Sequence, residues 1–293
     1  MKDLGRLLTA MVTPFKNDGS VDYAKAEKLA LHLLKNGSDG LVIHGTTGES
    51  PTLTHEEEFE LYRVIKKAIT GKGILVAGTG SNSTATSIWA TKEAEKIGVD
   101  GAMLVVPYYN KPSQEGLYQH YKAVADSTGL PIIIYNIPGR SVINMAPETV
   151  ARIAEIKNYA GIKEASGSLD QVSAIRMITP PGFKIWSGDD SLTLPIMAVG
   201  GCGVISVASH IAGPKIKAML DAFLGGETVA AAELHAELMP LFRVLFMTAN
   251  PTPVKAALSL VGFDVGKPRL PLIEANDKEK EAIRKVLVAL KII

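Results

Sequence analysis

The chain has 293 residues, with 31 Lys+Arg against 30 Asp+Glu, a balance spread along the sequence that recruits neither nucleic acid nor an anionic membrane. Hydrophobic residues make up 46% and charged residues 21%, which suits a globular chain with a sizeable core and excludes extensive disorder. The single cysteine, Cys202, excludes an intrachain disulfide and a thiolate-rich metal cluster, and its Gly-Gly-Cys-Gly setting reads as a packed thiol.

Lys2, Asp3 and Arg6 precede an apolar run that ends at Pro14-Phe15. It is too short for a signal peptide and lacks a small-residue cleavage site, so the expected location is cytoplasmic. From Ser191 to Pro214 there is no Lys, Arg, Asp or Glu, but Pro195, Gly200-Gly201, Gly203 and His210 break that stretch into a short helix and a short strand. No membrane span is expected.

Short β-branched runs alternate with amphipathic stretches. The predicted strands are Leu7–Thr13, Gly40–His44, Ile74–Gly78, Gly101–Pro107, Ile132–Asn136, Ala160–Lys163, Lys184–Ser187 and Gly203–Val207. Most are almost continuously apolar, as parallel strands covered on both faces should be. Helices are predicted at Tyr23–Lys35, His55–Ile69 and Thr84–Ile97. Thr54-His55-Glu56-Glu57 forms a capping box, and Gly37, Gly71 and Gly98 follow helix ends. Eight βα units in succession predict an α/β fold, a closed (β/α)8 TIM barrel over 1–226. Residues 227–293 read as a C-terminal helical extension: Glu227–Thr248, a helix after Pro251-Thr252-Pro253, and Asp277–Leu290. Their apolar faces, such as Leu234, Leu238, Leu241 and Leu245, need the barrel to pack on. No dinucleotide or P-loop glycine motif is present.

In this architecture the chemistry belongs at the C-terminal ends of the strands. The second strand runs into Gly45-Thr46-Thr47-Gly48-Glu49-Ser50, either a carboxylate-binding loop or a hydroxyl-rich capping turn. The fourth ends in Tyr108-Tyr109, a pair that suits interface or core packing more than catalysis. After the fifth comes Tyr135, then Arg140 behind a Pro-Gly turn, a solvated charge or a bidentate carboxylate ligand.

The sixth strand carries Lys163. A lysine this deep in an apolar strand is costly unless it snorkels, is paired or stays neutral. The functional reading is an amine that forms a Schiff base with a carbonyl substrate. Neighbouring strands stand about 4.8 Å apart, so Tyr135 and Lys163 can meet. Amine, phenol and hydroxyl loop together suggest a lysine-dependent aldolase. His32, His44, His55, His120, His210 and His235 show no metal-ligand spacing and read mostly as surface or capping residues. Asp189-Asp190 reads as a helix cap more than a cation site, and no metal is expected.

At these residues the sequence resembles the dihydrodipicolinate synthases, of the pyruvate-dependent N-acetylneuraminate lyase superfamily. The resemblance runs nearly end to end, through Gly45-Thr46-Thr47-Gly48-Glu49, Pro107-Tyr108-Tyr109-Asn110-Lys111-Pro112, Tyr135-Asn136-Ile137-Pro138-Gly139-Arg140, Gly161-Ile162-Lys163-Glu164-Ala165-Ser166, Ser187-Gly188-Asp189-Asp190, Gly203-Val204-Ile205-Ser206 and Asn250-Pro251-Thr252-Pro253-Val254-Lys255. One departure is Ser141-Val142-Ile143, where the family commonly carries Thr/Ser-Gly-Val.

The resemblance implies condensation of pyruvate with L-aspartate 4-semialdehyde to 4-hydroxy-tetrahydrodipicolinate, the first committed step of lysine and diaminopimelate biosynthesis, with no cofactor. Lys163 then forms the Schiff base, Tyr135 moves protons, and Thr46 with Tyr109 of a neighbouring subunit completes a relay. Thr47 holds the pyruvate carboxylate, Ile205 and Gly188 lie against the substrate, and Arg140 takes the semialdehyde carboxylate. The implied assembly is a homotetramer, a dimer of dimers. Ser50, His55, Asn82 and Tyr108 match a lysine-binding allosteric pocket. Glu58 and Thr86 replace its usual histidine and glutamate, so feedback inhibition should be weak or absent. The alternatives are another pyruvate-dependent aldolase, such as N-acetylneuraminate lyase or 4-hydroxy-2-oxoglutarate aldolase, or a non-catalytic barrel that binds a keto acid or a protein. Arg140 disfavours the sugar-acid lyase, and an intact Lys163, Tyr135 and Thr46 set disfavours the non-catalytic barrel.

Overall fold

Parallel strands buried along most of their length form the frame of the computed structural model, which describes residues 2–293. They are β1 (Leu7–Ala10), β2 (Gly40–Ile43), β3 (Ile74–Gly78), β4 (Gly101–Val105), β5 (Ile132–Asn136), β6 (Tyr159–Glu164), β7 (Lys184–Ser187) and β8 (Gly203–Ser206). They follow sequence order in a closed barrel, the TIM-barrel topology. Between and after them run α1 (Tyr23–Lys35), α2 (His55–Ile69), α3 (Thr84–Ile97), α4 (Gln114–Ala125), α5 (Pro138–Ser141), α6 (Pro147–Ala154), α7 (Leu169–Ile178), α8 (Thr193–Ala198), α9 (Ser209–Leu224), α10 (Thr228–Val244), α11 (Thr252–Leu260) and α12 (Asp277–Ala289).

Helix starts follow from side-chain chemistry. Asp22, Thr54 and Ser83 each accept a backbone N–H of the first turn, and Thr54 with Glu57 completes the capping box. Gly37, Gly71 and Gly98 take left-handed φ of 98°, 75° and 86° where the helices stop. Strand ends differ from expectation. β1 ends at Ala10 and not Thr13, β2 releases His44, β4 stops at Val105, and β6 extends to Glu164. His44 leaves the ladder because it turns into the left-handed region, φ 58°.

The chain divides into two compact units. One holds residues 2–6 and Ile74–Ile205, with β3 to β7 and most of β8. Its ladder sets Leu104 opposite Ile134 and Lys163 opposite Trp186, with one register shift between Ile132 and Ile133 where β5 meets β6. The other holds Leu7–Gly73 and Ser206–Ile293. Here α10 packs on α9 and α12, and α11 on α12. Leu238, Leu241, Leu245, Val254 and Leu258 are fully buried, which is what draws the C-terminal helices in. No helix among the described residues is long and apolar enough to cross a membrane.

Candidate active site

In the first unit, β5 and β6 pair so that Tyr135 lies opposite Lys163. Both are buried, and the Lys163 Nζ sits 4.1 Å from the Tyr135 ring centroid. Among the described residues no carboxylate pairs with this amine. Gly188 makes room for it: a Cβ there would stand 3.2 Å from Lys163 Cε and 2.7 Å from the Ala165 Cβ. Ile205, on β8, is buried.

One residue further on, Asn136 and Glu164 also lie opposite each other. Their alternate parity sends them away from the Tyr135–Lys163 face. The buried Glu164 carboxylate accepts from Asn136 Nδ2 at 3.1 and 3.2 Å, Gln171 Nε2 at 3.1 Å and the Ser166 N–H at 2.7 Å. Burial pushes this carboxyl above its ordinary range, and the hydrogen bonds pull against that shift.

Arg140 stands exposed in α5. That short helix is capped by Val142, left-handed at φ 66°. A β-branched residue is strained there, and glycine would relieve the strain. Tyr108 and Tyr109 are not core residues: they are 39% and 87% exposed. Asn110 Nδ2 donates to the Asn82 carbonyl at 2.8 Å and ties their turn to the loop before α3.

In the second unit, the Gly45–Gly48 loop is bracketed by His44 and Glu49, both at φ 58°. Thr47 is buried, and its Oγ1 accepts from Asn250 Nδ2 at 2.9 Å, which leaves the hydroxyl proton to offer elsewhere. Thr46 is half-buried. Below the loop, Glu49 Oε1 meets Lys255 Nζ at 2.6 Å. Burial lowers the Lys255 pKa, while Glu49 draws it back up.

Glu58 is enclosed in the same unit. It accepts from the Tyr62 hydroxyl at 2.8 Å and contacts Nδ1 of His55 at 2.9 Å and of His44 at 3.2 Å. Ser50 begins a short 3-10 turn just before α2. In the first unit, the Thr86 N–H is spent on the Ser83 cap.

Two histidines depart from the surface reading. His210 and His120 are buried, and burial lowers each to about 4. A neutral imidazole can serve two backbone groups, and His210 does so. Its Nε2 accepts from the Val12 N–H at 3.1 Å, so Nδ1 donates to the Val207 carbonyl at 2.8 Å. Asp189 caps the turn after β7, accepting from the Ser191 N–H at 2.9 Å. The thiol of Cys202 is packed, and burial pushes it up to about 12. Among the described residues no group of three or more His, Cys, Asp or Glu could hold a metal. Sequence reasoning missed Asn136 and Glu164. Their signal was two polar residues at strand ends beside Tyr135 and Lys163.

Residues 3–290 match the dihydrodipicolinate synthetase family. The 4-hydroxy-tetrahydrodipicolinate synthase of Desulforudis audaxviator is 58% identical over 285 residues, 97% of each chain. That of Moorella thermoacetica is 59% identical over 283 residues, again 97% of each. A crystal structure of the Cyanidioschyzon merolae enzyme with lysine bound superposes with a TM-score of 0.97 at 49% identity, covering 99% of both chains. With a fold match of this extent and identity this high along the whole barrel, the chain belongs to the dihydrodipicolinate synthetase family.

Proposed function

We propose that Lys163 is the reacting amine of this chain's 4-hydroxy-tetrahydrodipicolinate synthase activity, a step of lysine biosynthesis. The amine adds to the pyruvate carbonyl and water leaves, forming an iminium. A methyl proton departs by way of Tyr135 to give an enamine, whose carbon bonds to the aldehyde of L-aspartate 4-semialdehyde. The semialdehyde's own amine then attacks the iminium carbon, freeing Lys163 and closing the ring. No cofactor is called for by these steps. Thr47 holds the pyruvate carboxylate, Gly188 and the Ile205 backbone bound the keto acid, and Arg140 binds the semialdehyde carboxylate. Thr46 and the Tyr109 of a second copy carry protons onward, in a cytoplasmic homotetramer.

The observation that carries this reading is a buried lysine with no counter-charge among the described residues, seated on the ring of a buried tyrosine. Borohydride reduction in the presence of pyruvate should attach a three-carbon adduct to Lys163, and Lys163→Ala should abolish it. An adduct mapped to Lys111 or Lys255 would overturn the assignment.

Lysine should inhibit weakly. At Ser50, His55, Asn82 and Tyr108 the pocket residues are kept, but Glu58 is already engaged by His44, His55 and Tyr62. Half-maximal inhibition below about 1 mM, roughly −4 kcal/mol of binding, would contradict this.

A further inference from the structure

The turn that carries Arg140 is exposed and strained at Val142, so something must hold it. Inside the turn, Ser141 Oγ lies 2.9 Å from the carbonyls of both Ile137 and Ile143. Beyond it, the anchors converge on Asn144. Its Oδ1 accepts from Asn136 Nδ2 at 2.8 Å and from Gln171 Nε2 at 3.1 Å, and its Nδ2 donates to Gln171 Oε1 at 2.7 Å. Asn136 Oδ1 accepts the next backbone N–H, of Met145, at 3.0 Å. Asn136 and Gln171 both turn their remaining N–H toward Glu164.

Three segments are thereby knotted together behind the reacting face. Asn136 adjoins Tyr135, Glu164 adjoins Lys163, and Asn144 ends the Arg140 turn. Every group aimed at the Glu164 carboxylate is a donor, so the buried anion at the centre fixes which way both amides point.

We infer that Glu164, acting through Asn136, Gln171 and Asn144, is a positioning residue that holds the Arg140 turn against the Tyr135–Lys163 strand ends, and so sets affinity for the aldehyde substrate but not for pyruvate. The inference rests on the role proposed for Arg140, and it goes beyond that role by naming what aims it.

The test compares the full-length wild type with Asn144→Ala and Glu164→Gln, reading KM for each substrate, kcat and borohydride trapping by pyruvate. Gln at 164 keeps the shape but turns an amide N–H toward the donors of Asn136 and Gln171. Glu164→Gln should raise KM for the semialdehyde by roughly tenfold or more, and Asn144→Ala by about threefold to tenfold, the scale of one or two lost hydrogen bonds. Pyruvate KM and trapping should stay within about twofold for Asn144→Ala, since no contact of Asn144 reaches Lys163. In an Arg140→Ala background the Asn144→Ala effect should shrink to less than about twofold, because residues acting as one unit are not additive. Equal rises for both substrates, or full additivity with Arg140→Ala, would overturn the inference. Asn144 lies at the surface, so its variant stays informative if Glu164→Gln fails to fold. Failure of wild-type trapping would instead overturn the Lys163 reading, a result separate from any change in substrate ratio.

Discussion

Lys163 and Lys255 are buried alike, 5% and 3% exposed, and both lie over an aromatic ring, yet they are provided for differently. Lys255, in α11, faces Glu49 Oε1 at 2.6 Å, and the Glu49 carboxylate also takes the Arg269 N–H at 2.8 Å. Its charge is matched, and it fastens the helix to the turn after β2. Lys163, on β6, lies over the Tyr135 ring, and among the described residues no carboxylate pairs with it. A buried amine whose charge is matched serves the fold, whereas one without a counter-charge fits the reacting role proposed for Lys163.

Replacing the two lysines should separate these roles. Lys163→Ala should lower kcat/KM by about 10³-fold or more while changing unfolding free energy by less than about 1 kcal/mol. Lys255→Met should do the reverse, destabilising by roughly 3–5 kcal/mol because the buried Glu49 loses its ion-pair partner and keeps only the Arg269 contact. Urea unfolding and steady-state kinetics on both variants read the difference directly. A Lys255→Met chain as stable as wild type would break the comparison.

His210 sharpens it at the level of a neutral base. Its folded pKa is about 4, below an unfolded value of about 6.5, so the fold holds the unprotonated ring. Above the unfolded value neither state binds the proton, and stability is complete. As pH falls from about 6.5 to about 4 the unfolded chain takes up the proton and the folded chain does not, costing about 3 kcal/mol in all. Unfolding free energy measured across that window should decline accordingly. An NMR titration placing the His210 ring above about pH 5.5 would contradict the assignment.

The smallest effect is expected at Val142. Val142→Gly should relieve about 1–2 kcal/mol of left-handed strain, less about 0.5–1 kcal/mol of glycine's chain entropy. A net gain of about 0.5–1 kcal/mol in thermal or urea unfolding is the outcome. A loss would show that Val142 makes contacts worth more than the strain.

What is legible in the sequence follows the range of the forces involved. Helices α1, α2 and α3 run from the residues expected, because Asp22, Thr54 and Ser83 mark their starts with side chains a few positions away. Tyr135 and Lys163 could be paired from strand order and parity alone. The end of β2 could not, since His44 turns out of the ladder for reasons no local pattern carries. Nor could His210, whose partners are backbone groups of Val12 and Val207 and leave no residue-type signature. Glu164 and Asn136 stood in plain view, but their partners Asn144 and Gln171 come from a loop and a helix elsewhere in the chain.

Gly188 limits how this barrel can be re-engineered. Any Cβ at that position would meet Lys163 Cε at 3.2 Å and the Ala165 Cβ at 2.7 Å, so the wall beside the amine cannot be remodelled by adding side chains. With Lys163 as the proposed reacting amine, directed evolution toward bulkier keto acids should find that wall closed to substitution. Its freedom lies instead at Val142, 66% exposed on the turn after β5, where change displaces no packed neighbour of the lysine.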